Sequence, residues 1–218
     1  GHAAASVGGY ALFAGGASSY NALFGYDDPV SSVDAYDASL TRSAAHIIGA
    51  TAAIGGAAVG NYALFAGGTV NWPINKDNAT SDVLVYDSSL TFTTAPWLSV
   101  ARANVKGASV GNYALFAGGK ADSFYTTVDA YNASLTRTTA TALSSVENNI
   151  AAATVGNHAI FVGNTASADI YDASLTKTAA AILSTARTGL AATTVGDYAI
   201  FSGGGVADFC DASLTRSS

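Results

Sequence analysis

One ten-residue phrase recurs five times and governs what this chain can fold into. It reads Val-Gly-Asn-Tyr-Ala-Leu-Phe-Ala-Gly-Gly at 59–68 and 110–119, with near-copies beginning at Val7, Val155 and Val195. A second phrase follows each copy: Asp-Ala-Ser-Leu-Thr at 37–41, 172–176 and 211–215, with variants at 87–91 and 132–136. The spacing between copies of the first phrase falls from 52 to 51, 45 and 40 residues. A unit of this length cannot bury its apolar face alone, so such units stack into a solenoid, a propeller or an array. The whole chain, 1–218, therefore reads as one domain of five units starting near 1, 52, 103, 148 and 188.

Each unit divides into four short strands. The first is small and weakly apolar, as at 3–7 and 151–155. Gly-Asn, Gly-Gly or Gly-Asp follows, the pair that a tight hairpin needs. The second strand, Tyr-Ala-Leu-Phe-Ala, carries no charge and is expected to be buried on both faces. The third contains Val-Asp-Ala-Tyr or a relative, at 33–36, 83–86, 128–131, 168–171 and 207–210. Asp-Ala-Ser-Leu-Thr makes the next turn, where Asp and Ser side chains bond their own backbone. The fourth strand is rich in Thr, which suits a half-exposed outer position.

Four strands per unit with Gly-rich turns predict an all-β, five-bladed β-propeller of four-stranded antiparallel blades. Ala, Gly, Ser and Thr in the first strand fit the crowded axis of a ring of few blades. Unit five ends at Thr215-Arg216-Ser217-Ser218, so its blade is expected to be short or closed by another segment. Its edge is the expected site of self-association, because an unpaired edge attracts further strands.

The hydrophobic run, the Gly-Gly and the Tyr-Asp pair together resemble kelch repeats over the whole chain. The tryptophan that kelch units carry after the Tyr-Asp pair is missing, and unit four has Gly163-Asn164 for the double glycine. The resemblance implies the propeller fold and, commonly, a binding role. Fold by itself does not establish function.

Composition narrows the function classes. Charged residues are 11% and hydrophobic residues 50% of the chain, which leaves a bland Ser/Thr/Asn/Gly surface. The net charge is −6 with no basic stripe, so nucleic acid is not an expected partner. No apolar run approaches the roughly 20 residues needed to cross a bilayer as a helix, so no membrane insertion is expected. Cys210, the single cysteine, stands where other units have Tyr and is expected to fill a core slot. His2, His46 and His158 fall at unrelated repeat positions and build no metal site; no cofactor is expected.

Strand order separates the turns into two sets. Those joining strands one to two and three to four fall on one face and are nearly constant. The two-to-three loops and the connectors to the next unit fall on the other face and differ in length and content. Loops on a rigid scaffold are where function concentrates. That variable face carries Tyr26, Asp28, Trp72, Trp97, Arg102, Tyr125 and Arg187, the candidate ligand-binding residues, with Phe24, Phe124, Glu147 and Asn148 beside them. Aromatics among carboxylates and arginines suit stacking on a sugar or anchoring in a protein partner. The bland alternative is that the long loops fold over and bury their own aromatics.

Asp34, Asp129, Asp169 and Asp208 recur two residues before the Tyr or Cys of the third strand, with Leu84 in unit two. Each is expected to cap backbone donors or pair within its own blade. No catalytic set is evident, so the expected function is non-catalytic recognition or adhesion, binding a glycan or protein at an extracellular, cell or phage surface. A structural building block of an extracellular fibre is the alternative, and a carbohydrate-active enzyme a more distant one.

Overall fold

A computed structural model describes residues 2–21, 26–46, 49, 51–71, 73–145 and 149–217, all strand, turn or loop. Blade one begins with β1 (Ala3–Val7) and β2 (Tyr10–Ala14). A small hairpin, β3 (Ala17–Asn21) and β4 (Tyr26–Pro29), interrupts it before β5 (Val33–Tyr36) and β6 (Arg42–Ala44). Blade two is β7 (Gly55–Val59), β8 (Tyr62–Ala66), β9 (Val83–Asp87) and β10 (Phe92–Thr94). Blade three is β11 (Lys106–Val110), β12 (Tyr113–Ala117), β13 (Val128–Asn132) and β14 (Arg137–Ala140). Blade four is β15 (Ala151–Val155), β16 (His158–Val162), β17 (Ser167–Asp172) and β18 (Lys177–Ala181). Blade five is β19 (Ala191–Val195), β20 (Tyr198–Gly203), β21 (Val206–Asp211) and β22 (Arg216–Ser217).

Every blade is an antiparallel sheet whose spatial order follows chain order. The fold is a five-bladed β-propeller of four-stranded blades, as the repeats predict. The expected stub of blade five is a two-residue strand, Phe209 facing Ser217 and Cys210 facing Arg216.

The innermost strands surround a central channel lined by Ala4, Gly56, Gly107, Ala152 and Ala192 at one end. Their small side chains let the strands approach. Hydroxyls then tie one strand to the one before it. Ser109 Oγ donates to the Ala58 carbonyl at 2.7 Å, Thr154 Oγ1 to that of Ser109 at 2.8 Å, and Thr194 Oγ1 to that of Thr154 at 2.5 Å.

The core is divided into four clusters, one per junction between consecutive blades. Val110, Leu115, Val128 and Ala130 of blade three, for instance, pack on Phe161 and Tyr171 of blade four, with Leu175 against them. Each fully buried aliphatic or aromatic side chain of this kind contributes about 1.5–3 kcal/mol. The expectation that every second strand is buried on both faces holds in blades two, three and four. It fails in blade one, where Ala11 and Phe13 are exposed, and in blade five, where Tyr198 is exposed.

The Asp-Ala-Ser-Leu-Thr turn has one geometry throughout. Asp172 Oδ1 accepts from the backbone N–H groups of Ser174 and Thr176 at 2.8 and 2.9 Å, and the Leu175 N–H bonds the Asp172 carbonyl. The leucine sits at φ near +60° in all five units. This region disfavours a branched side chain. In blades two to five the half-buried Leu90, Leu135, Leu175 and Leu214 lie against the preceding blade's core, which offsets the strain.

Candidate functional site

The double glycine ending the second strand is where a connector crosses. Gly67 and Gly68 have φ of +68° and +114°, and a Cβ on Gly68 would collide with Thr51 and Ile54 of the incoming connector. The Gly68 N–H donates to the Arg102 carbonyl at 3.0 Å, and Thr69 and Ala52 exchange hydrogen bonds at 2.9 Å. Ala103 and Lys120 do the same one blade later. The two-to-three loops and the inter-blade connectors thus interleave on one face, as the strand order requires.

Of the candidate residues on that face, Trp97 stands out at 69% exposure. Asp28 is exposed at the end of β4, and Tyr125 is half-buried, its N–H bonded to the Gly119 carbonyl. Beside it, Lys120 Nζ lies 5.5 Å from the centre of the Phe124 ring. Only the backbone of Tyr26 is described, in β4 facing Asn21. Trp72, Phe24, Glu147 and Asn148 lie outside the described residues.

Arg102 is a correction. Its side chain is fully buried and belongs to the junction of blades two and three, so it presents nothing to a ligand. Nε donates to the Gly118 carbonyl at 2.7 Å, one terminal nitrogen to Phe116 at 3.1 Å, and the other to Val100 and to Asp129 Oδ2, both at 3.0 Å. Asp129, also fully buried, receives the Ser99 N–H and hydroxyl on the same oxygen and Arg137 at 2.9 Å on the other. Burial pulls the Arg102 guanidinium below its ordinary value, and Asp129 opposes that shift.

Arg187 repeats this two junctions later, between blades four and five. It contacts Asp208 at 2.5 Å and is nearly buried, which withdraws it from the exposed face as well. Burial alone would raise the Asp208 carboxyl. The Ser184 N–H and the Arg187 and Arg216 guanidinium groups outweigh it and hold the group below the ordinary carboxylate value. In blade four the counterpart, Asp169, takes Lys177 at 3.2 Å and the Ser144 N–H at 2.7 Å. The recurrent aspartates pair within their own blades, as expected, and in blades three to five they also receive the preceding connector.

The third-strand tyrosines make a parallel set of bonds. Tyr86, Tyr131 and Tyr171 donate to the carbonyls of His46, Pro96 and Thr141, each in the connector from the preceding blade, at 2.6–2.8 Å. Burial pushes the Tyr86 hydroxyl up to about 12 and the other two higher still. Cys210 fills the fifth such slot, buried, its thiol also raised by burial.

Between the third connector and blade four lies a cavity of 210 Å³ lined by Leu143, Ile150 and Phe161 with Ser144, Thr165 and Asp169. The loop at 73–82 is held by its own polar groups. Asn75 Oδ1 accepts from the Asp77 and Asn78 N–H groups, and the Lys76 N–H reaches Asp122 of the next blade. Sequence reasoning missed Lys106, which begins β11 at the channel mouth and is the one charged side chain of the five innermost strands. Among the described residues no three His, Cys, Asp or Glu side chains gather as metal ligands.

The class defined by this geometry is a β-propeller with one uniform and one individualised face. Among solved structures the chain is similar to one described as "Structure of YjhT", with a TM-score of 0.73 and 13% identity over 99% of this chain and 82% of that one. At that identity the likeness is one of fold. No protein-family model matches the chain, and no curated protein matches it.

Proposed function

We propose that this chain is a non-catalytic, kelch-like recognition module that binds a glycan through its variable face. The observation that carries the reading is the placement of Trp97, the most exposed aromatic among the described side chains, on the one face where the repeats stop agreeing. An indole held in water by a rigid connector gains by covering the apolar face of a sugar ring. Asp28 and Tyr125 on the same face supply a carboxylate and a hydroxyl for the sugar's hydroxyls. The cavity beside Ser144, Thr165 and Asp169 offers a second mixed polar and apolar recess on that side. An extracellular, cell or phage surface is the setting that fits such a ligand.

A glycan array probed with the purified chain is the test. Binding is expected to a restricted set of glycans, weakened at least 10-fold by Trp97→Ala with the melting temperature unchanged. Binding to no glycan, or equal binding by Trp97→Ala, would sink the reading.

A further inference from the structure

Four junctions between consecutive blades are built from the same parts, and among the described residues the fifth is not built. Val7, Val59, Val110 and Val155 end their strands buried against the following blade, whereas Val195 is 61% exposed. Phe65, Phe116, Phe161 and Phe201 are buried against the preceding blade, whereas Phe13 is 43% exposed. The turn leucines of blades two to five are half-buried, and Leu40 is 81% exposed. A Cβ on Gly8, Gly60, Gly111 or Gly156 would press on the turn of the next blade, but one on Gly196 meets nothing. The innermost strands run side by side from β1 through β7, β11 and β15 to β19, and no comparable run joins β19 to β1.

The two sides of this seam are not alike. Blade five offers Val195, Tyr198 and Ile200, the set that elsewhere receives a following blade. Blade one offers Phe13, Tyr36, Asp34 and Leu40 around a groove of 730 Å³, the set that elsewhere receives a preceding blade. Asp34 bonds Arg42 of its own blade. Its counterparts in blades three to five also receive the serine of a preceding connector. An occupant must therefore show a Phe/Tyr face to blade five and a Val/Tyr/Leu face to blade one at the same time. A blade of this repeat has that pair of faces.

We propose that the seam is the docking site for one further four-stranded blade of the same repeat, presented by a partner polypeptide that carries it. Blade five binds that blade through β19 and β20, and blade one through β2 and β5. Association buries apolar faces that monomers rarely leave open, and it does so with the contacts already used at four junctions. The outer edge strand β22, expected from the sequence to be the point of self-association, is not the surface involved.

The test joins a second copy of residues 103–149 to the end of the full chain and reads maleimide labelling of Phe13→Cys, with buried Cys210 as the slow background. Labelling is expected to slow at least 10-fold relative to the same variant without the added blade, in a protein that sediments as a monomer. A second arm guards against failure of the added blade to fold. In the chain as it stands, Phe13→Asp is expected to leave the melting temperature unchanged while Phe116→Asp unfolds the protein. Unchanged labelling in a folded fusion overturns the proposal. So does equal destabilisation by the two aspartates, which would mean a ring closed on itself. A concentration-dependent dimer that protects position 13 in the unextended chain overturns it too, assigning the seam to a second copy.

Discussion

At the junction of blades two and three, Asp129 sits buried between Arg102, Arg137 and Ser99. At the junction of blades one and two the same repeat positions hold Leu84, Thr51 and Phe92, none of them charged. The Phe92 ring stacks on His46 with centroids 4.4 Å apart and tilts against Tyr86 at 5.5 Å. In both junctions the third-strand tyrosine still bonds a connector carbonyl. One backbone arrangement therefore accepts either an ionic or an apolar filling, provided the filling changes as a set. Two charges taken out of water lose several kcal/mol of hydration each, and only a complete set of partners offsets that loss. The apolar set needs no such compensation.

The comparison breaks most sharply when one member is removed. Asp129→Ala leaves Arg102 buried among carbonyls with no counter-charge, and a loss of about 3–5 kcal/mol is expected in chemical denaturation. A loss below about 1 kcal/mol would mean that the carbonyls of Phe116 and Gly118 hold the guanidinium unaided. Replacing the set is expected to do much less harm. The triple variant Arg102→Thr, Asp129→Leu, Arg137→Phe copies blade two into blade three, and its stability should return to within about 2 kcal/mol of the parent. The exposed Ser99, which gives up its carboxylate acceptor, turns to water. A triple variant as unstable as Asp129→Ala would show that the two fillings are not interchangeable.

Blade number, strand count and the division into two faces were legible because identical residues recur at a fixed period. The ion pairs were legible too, in a form that residue-by-residue reading passes over. Wherever the third strand has Asp, at 34, 129, 169 and 208, a basic residue follows eight positions later, at 42, 137, 177 and 216; where it has Leu84, Phe92 follows. Arg102 and Arg187, by their place in the connectors, read from sequence as groups of the exposed variable face. Their partners lie on the third strand of the blade each connector leads into, and only the interleaving of connector and loop brings them together. The seam could not be read at all. Phe13 and Phe116 stand in the same words, Tyr-Ala-Leu-Phe-Ala, yet one is exposed and the other buried. What separates them is the presence of a neighbour, which local sequence does not encode.

The smallest expected effect tests the same contrast at its exposed end. Arg42 and Asp34, at the repeat positions of Arg137 and Asp129, approach to 2.5 Å, but the Arg42 side chain is 59% exposed and its carboxylate partner faces the open groove rather than a connector. Water competes for both groups there, and salt screens what attraction remains, so such pairs contribute at most about 1 kcal/mol. Arg42→Ala should therefore cost less than that, and 0.5 M salt should erase most of the difference, whereas Arg137→Ala, which strips a partner from a fully buried carboxylate, should cost more and resist salt. Equal losses from the two substitutions would place Asp34 in an environment as dry as that of Asp129, and the distinction between the open seam and the filled junctions would fall with it.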